Sequence, residues 1–381
     1  MNVHKSDRDT KHQRGPHYLF NPYEIAICGF KNSGKTTLAT SVISALADTH
    51  DIGYAKHDGH RFEMDHPGKD THRAAAAGAR TIRINDDEHH ALIHRGATNE
   101  FDQRAAMLQA DVVIAEGCKR ANIDKIVMLD DAATILDEEL ENVIAYVGTA
   151  PSWSGAAETP YFQRDDVAAI VDFVTARWAA RVPPLRGLVL TGGRSTRMQQ
   201  DKSGLQYHGV SQTEFVHALL APHMRDVLVS TRAEQADKAD HAGLPQLHDR
   251  FHGLGPIGGI LTAMQADPAA AWLVVACDLP FLESGTFEAL VSGRNPFKPA
   301  TAFRGTGNGL PEPLCAIYEP KARYRLHQFV GLGCHCPRKV LINSDPQLLD
   351  QANPQWLDNV NTPEELEAAL AVIAATATKG A

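Results

Sequence analysis

The eight-residue run Gly29-Phe-Lys-Asn-Ser-Gly-Lys35-Thr36 constrains this chain more than any other feature. It follows the apolar segment 25–28 and precedes a segment of helical composition that begins at Thr37. A glycine-rich turn between a strand and a helix exposes backbone N–H groups, and the start of the helix adds partial positive charge. This context predicts a phosphate-binding loop on an α/β fold.

The spacing within this loop assigns a role to individual side chains. Lys35 would reach the β- and γ-phosphates of a nucleoside triphosphate, and the Thr36 hydroxyl would bind Mg²⁺. A carboxylate at the end of an apolar strand can order the same ion. Glu116, after the apolar run 112–115, is the candidate carboxylate, and Asp58 is the alternative. The predicted nucleotide-binding residues of this site are Gly29, Asn32, Ser33, Gly34, Lys35, Thr36 and Thr37.

Length and composition limit the class of protein. A chain of 381 residues is longer than one hydrophobic core ordinarily accommodates, so we expect two domains. A hydrophobic content of 43% with a net charge of −9 indicates a globular protein that is not a dedicated nucleic-acid or anionic-membrane binder. No apolar stretch approaches transmembrane length, and the polar start lacks the apolar core of a signal peptide. The six cysteines are scattered and indicate reduced thiols, so a cytoplasmic location is expected.

Short apolar runs alternate with segments of helical composition in the first half of the chain. The predicted strands are 25–28, 52–55, 111–115, 126–129 and 142–147. The predicted helices are 37–48, 69–79, 99–108 and 165–179. This alternation predicts a mostly parallel sheet that helices cover on both faces.

The adjacent prolines Pro183 and Pro184 mark a boundary because they exclude helix and stiffen the chain. The alternation then restarts with predicted strands 187–190, 226–230 and 272–276 and predicted helices 212–220 and 257–265. The second half is therefore a second α/β domain, with its own glycine loop after its own first strand. The predicted organisation is a flexible arm at 1–21, domains at 22–179 and 187–381, and a proline-rich linker at 180–186.

Histidines are dense between positions 57 and 94. We expect these histidines to form a solvated and weakly basic rim. The alternative is that His90 and His94, which are spaced to share a helix face, hold a metal ion. The triplet Cys334-His335-Cys336 has no second ligand pair nearby, which argues against a structural zinc site.

The second glycine loop begins at Leu190-Thr191-Gly192-Gly193 and is not a Walker loop, because no Gly-Lys-Ser/Thr closes it. Its paired glycines let the backbone approach a ligand, and Arg194, Arg197 and Lys202 supply cations for a triphosphate. Further along, Asp278 follows the apolar run 272–276 and can hold Mg²⁺. A cation-rich loop facing such a carboxylate predicts attack on an α-phosphorus with release of pyrophosphate.

The motifs of the first domain resemble the P-loop MobB proteins, adapters of molybdopterin-guanine dinucleotide biosynthesis. The shared segments are GFKNSGKTTL, KHDGHRFEMDHPGKDTHRAAAAGA and IAEGCKRANIDKIV, and the resemblance covers about residues 22–178. It implies a P-loop NTPase-like fold that binds GTP and hydrolyses it weakly at best. No Asn-Lys-x-Asp guanine motif is visible, so the choice of guanine rests on the resemblance.

The motifs of the second domain resemble the MobA family of molybdenum cofactor guanylyltransferases over about residues 186–370. Besides the loop, the matching motifs are His248-Asp249-Arg250, Gly255-Pro-Ile-Gly-Gly-Ile260, Glu312-Pro-Leu and Asn359-Val-Asn361-Thr-Pro-Glu-Glu-Leu. The resemblance implies a Rossmann-like, glycosyltransferase A-like sheet. It also implies that the backbone of 190–193 wraps the guanine, that Lys202 and Asp249 contact GTP, and that Asp278 carries Mg²⁺. Asn359 and Asn361 would lie near the metal and the acceptor.

The chain departs from the family pattern at three places. One is the segment Ser230-Thr231-Arg232, which lacks the asparagine often found after this strand. The family commonly has alanine where this chain has Thr191 and glycine where it has Gln199. If position 199 requires a positive φ, glutamine would cost on the order of 1 kcal/mol.

Together these observations predict a bifunctional protein of molybdenum cofactor maturation. The second domain would transfer GMP from GTP to the terminal phosphate of Mo-molybdopterin, with Arg197, Lys202 and Asp278 as the catalytic residues. The first domain would bind GTP with Mg²⁺ and assist, and molybdopterin-insertion proteins or molybdoenzymes are candidate partners. Two alternatives stay open: a cytidylyltransferase acting on the same cofactor, and a nucleotide-switched adapter for a molybdoenzyme.

Overall fold

The computed structural model describes residues 21–56, 65–96, 100–130, 133–138, 140–150, 153, 158–191, 205–238, 241–360 and 362–379. The predicted arm up to residue 20 lies outside these residues. So do the following site candidates and neighbours: His57, Asp58, His60, Gly192, Gly193, Arg194, Arg197, Gln199, Lys202 and Asn361. The chain divides into two compact units, Met1–Arg181 and Val182–Ala381.

The first unit contains a six-stranded sheet and a separate hairpin. The sheet strands are β1 (Glu24–Cys28), β2 (Ile52–Lys56), β5 (Val112–Glu116), β6 (Asp124–Met128), β7 (Val143–Gly148) and β8 (Tyr161–Gln163), and the hairpin strands are β3 (Thr81–Asn85) and β4 (His90–His94). The helices are α1 (Lys35–Leu46), α2 (Asp70–Ala76), α3 (Glu100–Ala106) and α4 (Val167–Ala179), and a short 3-10 turn spans Thr134–Asp137.

The strands of the sheet lie in the order β2-β5-β1-β6-β7-β8, and every neighbouring pair is parallel. Strand β1 is central and all five of its residues are buried, as expected of a strand covered on both faces. Helix α4 buries Ile170, Val174 and Trp178, which recur every four residues and therefore share one face. Because the pairing is parallel, the loops after β1, β5 and β6 leave from the same edge of the sheet.

The alternative in which His90 and His94 share a helix face and hold a metal ion is wrong. Both residues lie on β4, which pairs antiparallel with β3, and both are exposed. Four residues along a strand span roughly 13 Å, so these two side chains cannot bind one metal ion. Across the residues that the structure describes, no group of three or more His, Cys, Asp or Glu side chains is arranged to hold a metal.

The second unit contains a seven-stranded mixed sheet. Its strands are β9 (Leu185–Leu190), β10 (Val227–Thr231), β11 (Gln246–His248), β12 (Ala271–Ala276), β13 (Ala300–Arg304), β14 (Pro311–Tyr318) and β15 (Gln347–Leu349). Its α-helices are α5 (Gln212–Leu220), α6 (Pro256–Ala266), α7 (Ser284–Ser292), α8 (Ala322–Gly331), α9 (Pro337–Ile342) and α10 (Pro363–Lys379), and short 3-10 turns span Ala221–His223 and Ala233–Gln235.

The order of this sheet is β11-β10-β9-β12-β14-β13-β15. The first four strands are parallel, whereas β14 runs antiparallel to both β12 and β13. Along β12, Trp272 and Val274 belong to one hydrophobic cluster and Leu273 and Val275 to another. Successive strand residues point to opposite faces, so both faces of the sheet are packed.

None of the helices in the described part of the chain combines the length and hydropathy of a membrane span.

Lys125, on β6, is a fully buried cation held by backbone oxygens. Its ammonium donates hydrogen bonds to the carbonyls of Ala121 at 2.6 Å, Ile123 at 3.1 Å and Glu141 at 2.9 Å. Burial lowers the pKa of this ammonium. The three donors of the group match the three acceptors, so Lys125 ties together the segments that precede β6 and β7.

We expect Lys125→Met to lower the free energy of unfolding by about 2 kcal/mol or more, because three carbonyls lose their donor. Urea unfolding followed by tryptophan fluorescence measures this change. The matched control is Lys69→Met, since Lys69 is exposed in the same unit. A loss below about 0.5 kcal/mol for Lys125→Met would contradict the structural role.

Candidate nucleotide sites

The phosphate loop of the first unit joins β1 to α1 in a compact turn. Asn32 and Gly34 have φ angles of 63° and 89°, and the N–H of Ser33 donates to the carbonyl of Phe30 at 3.2 Å. A Cβ at Gly29 would lie 2.5 Å from Ser33 Oγ and 2.9 Å from the Cβ of Met128, so only glycine fits there. Helix α1 begins at Lys35, directly after this turn. The first backbone N–H groups of the helix are therefore available to an anion.

Two polar side chains of this loop are available to phosphate oxygens. Ser33 Oγ is buried and has no hydrogen-bond partner among the described residues. Lys35 Nζ donates to the carbonyl of Phe30 at 2.6 Å. Burial lowers the pKa of Lys35, and the charge of Glu116 opposes this shift only in part. A buried hydroxyl without a partner, beside a cation and a helix N-terminus, fits an oxygen-rich anion.

Glu116 ends β5 and lies at the centre of a polar cluster. Its Oε2 accepts hydrogen bonds from the hydroxyls of Thr36 at 2.9 Å and Tyr54 at 2.6 Å, and its Oε1 lies 3.2 Å from Lys56 Nζ. Burial raises the pKa of Glu116, but these hydrogen bonds and the charge of Lys56 bring it below its usual value. An ionised carboxylate next to the Thr36 hydroxyl offers the oxygen ligands that Mg²⁺ prefers.

Tyr54 and Lys56 were not found by sequence reasoning. Tyr54 and Lys56 are two positions apart on β2, so their side chains lie on the same face of the sheet. Strand β2 pairs with β5 in a register that places Lys56 opposite Glu116. Burial, and then the hydrogen bond to Glu116, raise the pKa of Tyr54 to about 12. The signal in the sequence was the pair of polar residues two positions apart in an otherwise apolar strand.

The turn after Glu116 is fixed by its own contacts. Gly117 and Cys118 both have positive φ angles, 89° and 46°, and the N–H of Gly117 donates to the carbonyl of Ile27 at 2.9 Å. Lys119 lies 4.7 Å above the ring of Phe30 and pairs with Glu138 at 2.7 Å. These contacts join the end of β5 to the phosphate loop.

In the second unit, the predicted site residues that the structure describes lie at the carboxyl edge of β10, β9 and β12; they are Leu190, Thr191, Asp249 and Asp278. The N–H of Cys277 donates to the carbonyl of Leu190 at 3.2 Å, which places Asp278 beside the end of β9. Thr191 is buried, and its hydroxyl donates to the carbonyl of Ser230 at 2.7 Å. The hydroxyl at a position where the family commonly has alanine thus has a backbone partner.

Asp249 joins this edge from the loop after β11. Its Oδ1 accepts a hydrogen bond from Ser230 Oγ at 2.6 Å, and its N–H donates to the carbonyl of Thr231 at 2.8 Å. Burial raises the pKa of Asp249, and the hydrogen bond from Ser230 opposes that shift. Ser230, at the end of β10, therefore links Thr191 to Asp249 and was not predicted from the sequence.

The surroundings of Asp278 include two further segments. The N–H of Val360 donates to the carbonyl of Asp278 at 3.2 Å, which brings the neighbouring Asn359 into this region. Burial, and then the negative charge of Asp278, raise the pKa of Tyr207 to about 12. Tyr207 was not predicted either, because nothing in the sequence connects it to Asp278.

Gly259 allows α6 to approach the ends of β9 and β10. A Cβ at this position would lie 2.6 Å from Ser230 Oγ and 2.7 Å from Leu190 Cδ2. Every residue of α6 from Ile257 to Met264 is buried. A side chain at position 259 would therefore force the side chains of Ser230 and Leu190, at the strand ends that carry the site, to shift.

We expect Gly259→Ala to lower the thermal midpoint and the activity together, although alanine is the better helix former by about 1 kcal/mol. The forced displacement should cost about 1–3 kcal/mol in stability. Gly285→Ala, in α7, is the matched control, because its Cβ would meet only Trp356 at an ordinary 3.5 Å. Differential scanning calorimetry measures the thermal midpoints of both variants and of the parent chain. A midpoint of Gly259→Ala equal to that of Gly285→Ala would refute the packing argument.

Two family models match the chain. The MobA-like NTP transferase domain matches residues 187–348, and the family described as molybdopterin guanine dinucleotide synthesis protein B matches residues 24–149. Each match falls within one of the two units.

Relatives include the molybdenum cofactor biosynthesis bifunctional protein of Synechocystis, 38% identical over 48% of this chain. The matched region is 52% of that protein, so the chain spans about half of this relative's length. The molybdenum cofactor guanylyltransferase of Pseudomonas aeruginosa is 30% identical over 49% of this chain and 94% of its own length. The crystal structure of MobB from Bacillus subtilis is 27% identical with a TM-score of 0.36, covering 41% of this chain and 97% of that one. The chain therefore belongs to the molybdenum cofactor guanylyltransferase family and carries a MobB-type domain ahead of the transferase domain.

Proposed function

We propose that the second unit transfers GMP from GTP to the terminal phosphate of Mo-molybdopterin, forming the molybdopterin guanine dinucleotide. The observation that carries the proposal is the convergence of Leu190, Thr191, Asp249 and Asp278 at one sheet edge, in a chain of this family. Ligands of open α/β sheets bind at such an edge. We also propose that the protein acts in the cytoplasm and that each unit has its own nucleotide site.

In the proposed step, a terminal phosphate oxygen of the cofactor attacks the α-phosphorus of GTP. The bond from the α-phosphorus to the bridging oxygen breaks, and its electron pair leaves with pyrophosphate. The attacking phosphate is already an anion, so no general base is required. Positioning and charge neutralisation therefore dominate the rate.

The residues of the chain divide this work. The backbone of Leu190 and Thr191, with the following Gly192 and Gly193, would receive the guanine, and Asp249 would accept a hydrogen bond from the nucleotide. Arg197 and Lys202 would stabilise the charge that gathers on the departing pyrophosphate.

Asp278 is the proposed holder of Mg²⁺ in this unit. Its place at the carboxyl edge, after the buried strand β12 and beside the end of β9, would give the ion an oxygen ligand. When bound, Mg²⁺ would neutralise the phosphates of GTP.

The first unit is proposed to bind GTP with Mg²⁺ in the phosphate loop and to assist the transfer. Lys35 would contact the phosphates, and Thr36 and Glu116 would hold the ion. Two observations support this assignment. Ser33 Oγ has no hydrogen-bond partner among the described residues, and the Thr36 hydroxyl donates a hydrogen bond to Glu116. Hydrolysis of GTP at this site would be weak.

For the transferase site, Asp278→Asn should lower the rate of pyrophosphate release roughly 10²–10³-fold, because the shape is kept while the charge that holds Mg²⁺ is lost. Asp350→Asn is the control, since the Asp350 side chain is 89% exposed in the same unit. The assay uses the full chain, GTP and purified cofactor across a Mg²⁺ titration. Turnover that stays unchanged across the titration would contradict the metal assignment.

For the first unit, Lys35→Ala should abolish GTP binding and hydrolysis there while the transfer of GMP continues. The reason is that Lys35 and Asp278 belong to different compact units of the chain. Titration with GTP should show one site fewer in Lys35→Ala than in the parent chain, and Lys69→Ala should show no change. Loss of most transferase activity in folded Lys35→Ala protein would show that the two sites are not independent.

A further inference from the structure

Arg164 places its guanidinium against the phosphate loop of the first unit. The residue directly follows β8, and its N–H donates to the carbonyl of Gly148 at 2.8 Å. A Cβ added to Gly34 would lie 3.4 Å from Arg164 Nη1, 3.5 Å from Cζ and 3.7 Å from Nε. The arginine therefore reaches back across the sheet to the residue that precedes Lys35.

One donor of the guanidinium is unused within the part of the chain that the structure describes. Arg164 Nε is buried and has no hydrogen-bond partner among the described residues. The carboxylates next to it in sequence do not supply one: Asp166 accepts the N–H of Ala169 as the cap of α4, and Asp165 is exposed. A buried donor without an acceptor is unfavourable, so its retention requires an explanation.

Two unpartnered buried polar atoms thus lie at the same loop, Arg164 Nε and Ser33 Oγ. A hydroxyl and a guanidinium both donate hydrogen bonds, and phosphate oxygens accept from both. Arginine in particular presents a planar fork that matches phosphate geometry. The chain as a whole carries a net charge of −9, so a polyphosphate needs local cations, and Arg164 adds one to Lys35.

We propose that Arg164 binds the phosphate chain of the nucleotide in the first unit. The inference rests on the proposed GTP site and extends it, because the conserved spacing of a phosphate loop does not include this residue. Its position after β8 brings a cation from the far edge of the sheet to the side of the loop opposite Glu116, since β5 and β8 lie on opposite sides of β1. Arg164 thereby completes a set of donors around the phosphates.

The test is nucleotide titration of the full chain in the Arg164→Ala and Arg164→Lys variants. The GTP binding that is lost in Lys35→Ala is the binding at the first unit. The binding that remains in Lys35→Ala belongs to other sites and is subtracted. Arg83→Ala is the matched control, because Arg83 is exposed on the hairpin strand β3. GTP, GDP, GMP and guanosine are compared as ligands, and unfolding without ligand is measured for every variant.

We expect Arg164→Ala to weaken GTP binding at this site by at least about tenfold, the effect of one charge-assisted hydrogen bond. The factor should shrink as phosphates are removed and vanish for guanosine, and Arg164→Lys should restore part of the affinity. Stability without ligand should stay the same or rise, because an unpartnered buried donor is removed.

Three results would overturn the inference. Parent-like GTP affinity in Arg164→Ala, with binding still lost in Lys35→Ala, would refute the role of Arg164 and leave the proposed GTP site intact. An equal loss for GTP and guanosine would move the contact from the phosphates to the base or sugar. Absence of any Lys35-dependent GTP binding in the parent chain would refute the GTP site and the inference with it.

Discussion

Parallel strand pairing is the constraint on which both candidate sites depend. Because the carboxyl ends of parallel strands meet at one edge, residues far apart in sequence become neighbours. Thr36 and Glu116 are 80 positions apart and share a hydrogen bond only because β5 lies beside β1. Thr191 and Ser230 meet in the same way where β9 pairs with β10. In each unit the sheet is thus the device that assembles oxygen ligands and donors around one loop.

Both edges keep polar groups that packing alone does not explain. Ser33 Oγ and Arg164 Nε, buried at the phosphate loop, have no hydrogen-bond partner among the described residues, and burial raises the pKa of the Asp249 carboxyl at the other edge. By contrast Lys125, which has no part in either candidate site, donates each of its three hydrogen bonds to a backbone carbonyl. Natural proteins commonly accept such local penalties where a ligand is bound. Gln212 Oε1 and Arg325 Nε also lack a partner among the described residues, so it is the position of Ser33 and Arg164 at the phosphate loop that supports a binding function.

The sequence predicted the fold class and most strand positions, because apolar runs bounded by turn residues carry that information locally. It also singled out Glu116, since a carboxylate directly after a buried run is a local signal. His90 and His94 lie on a strand, and the helix-face alternative for them is wrong, because a four-residue spacing keeps side chains on one face in a strand as well as in a helix. The contacts of Ser230 and Arg164 could not be predicted, because they depend on which strands become neighbours in the sheet.

The central claim is that this chain transfers the guanylyl group, and following the α-phosphate tests it most directly. The full chain is incubated with purified Mo-molybdopterin, Mg²⁺ and α-labelled GTP, CTP or ATP. We predict label in the cofactor with one pyrophosphate released per label, and a kcat/KM for GTP at least about tenfold above that for CTP or ATP. The reason is that a site built for guanine leaves polar groups unpaired with another base, at a cost of roughly 1–3 kcal/mol each. Equal or better use of CTP, or no label from GTP in folded protein, would contradict the account.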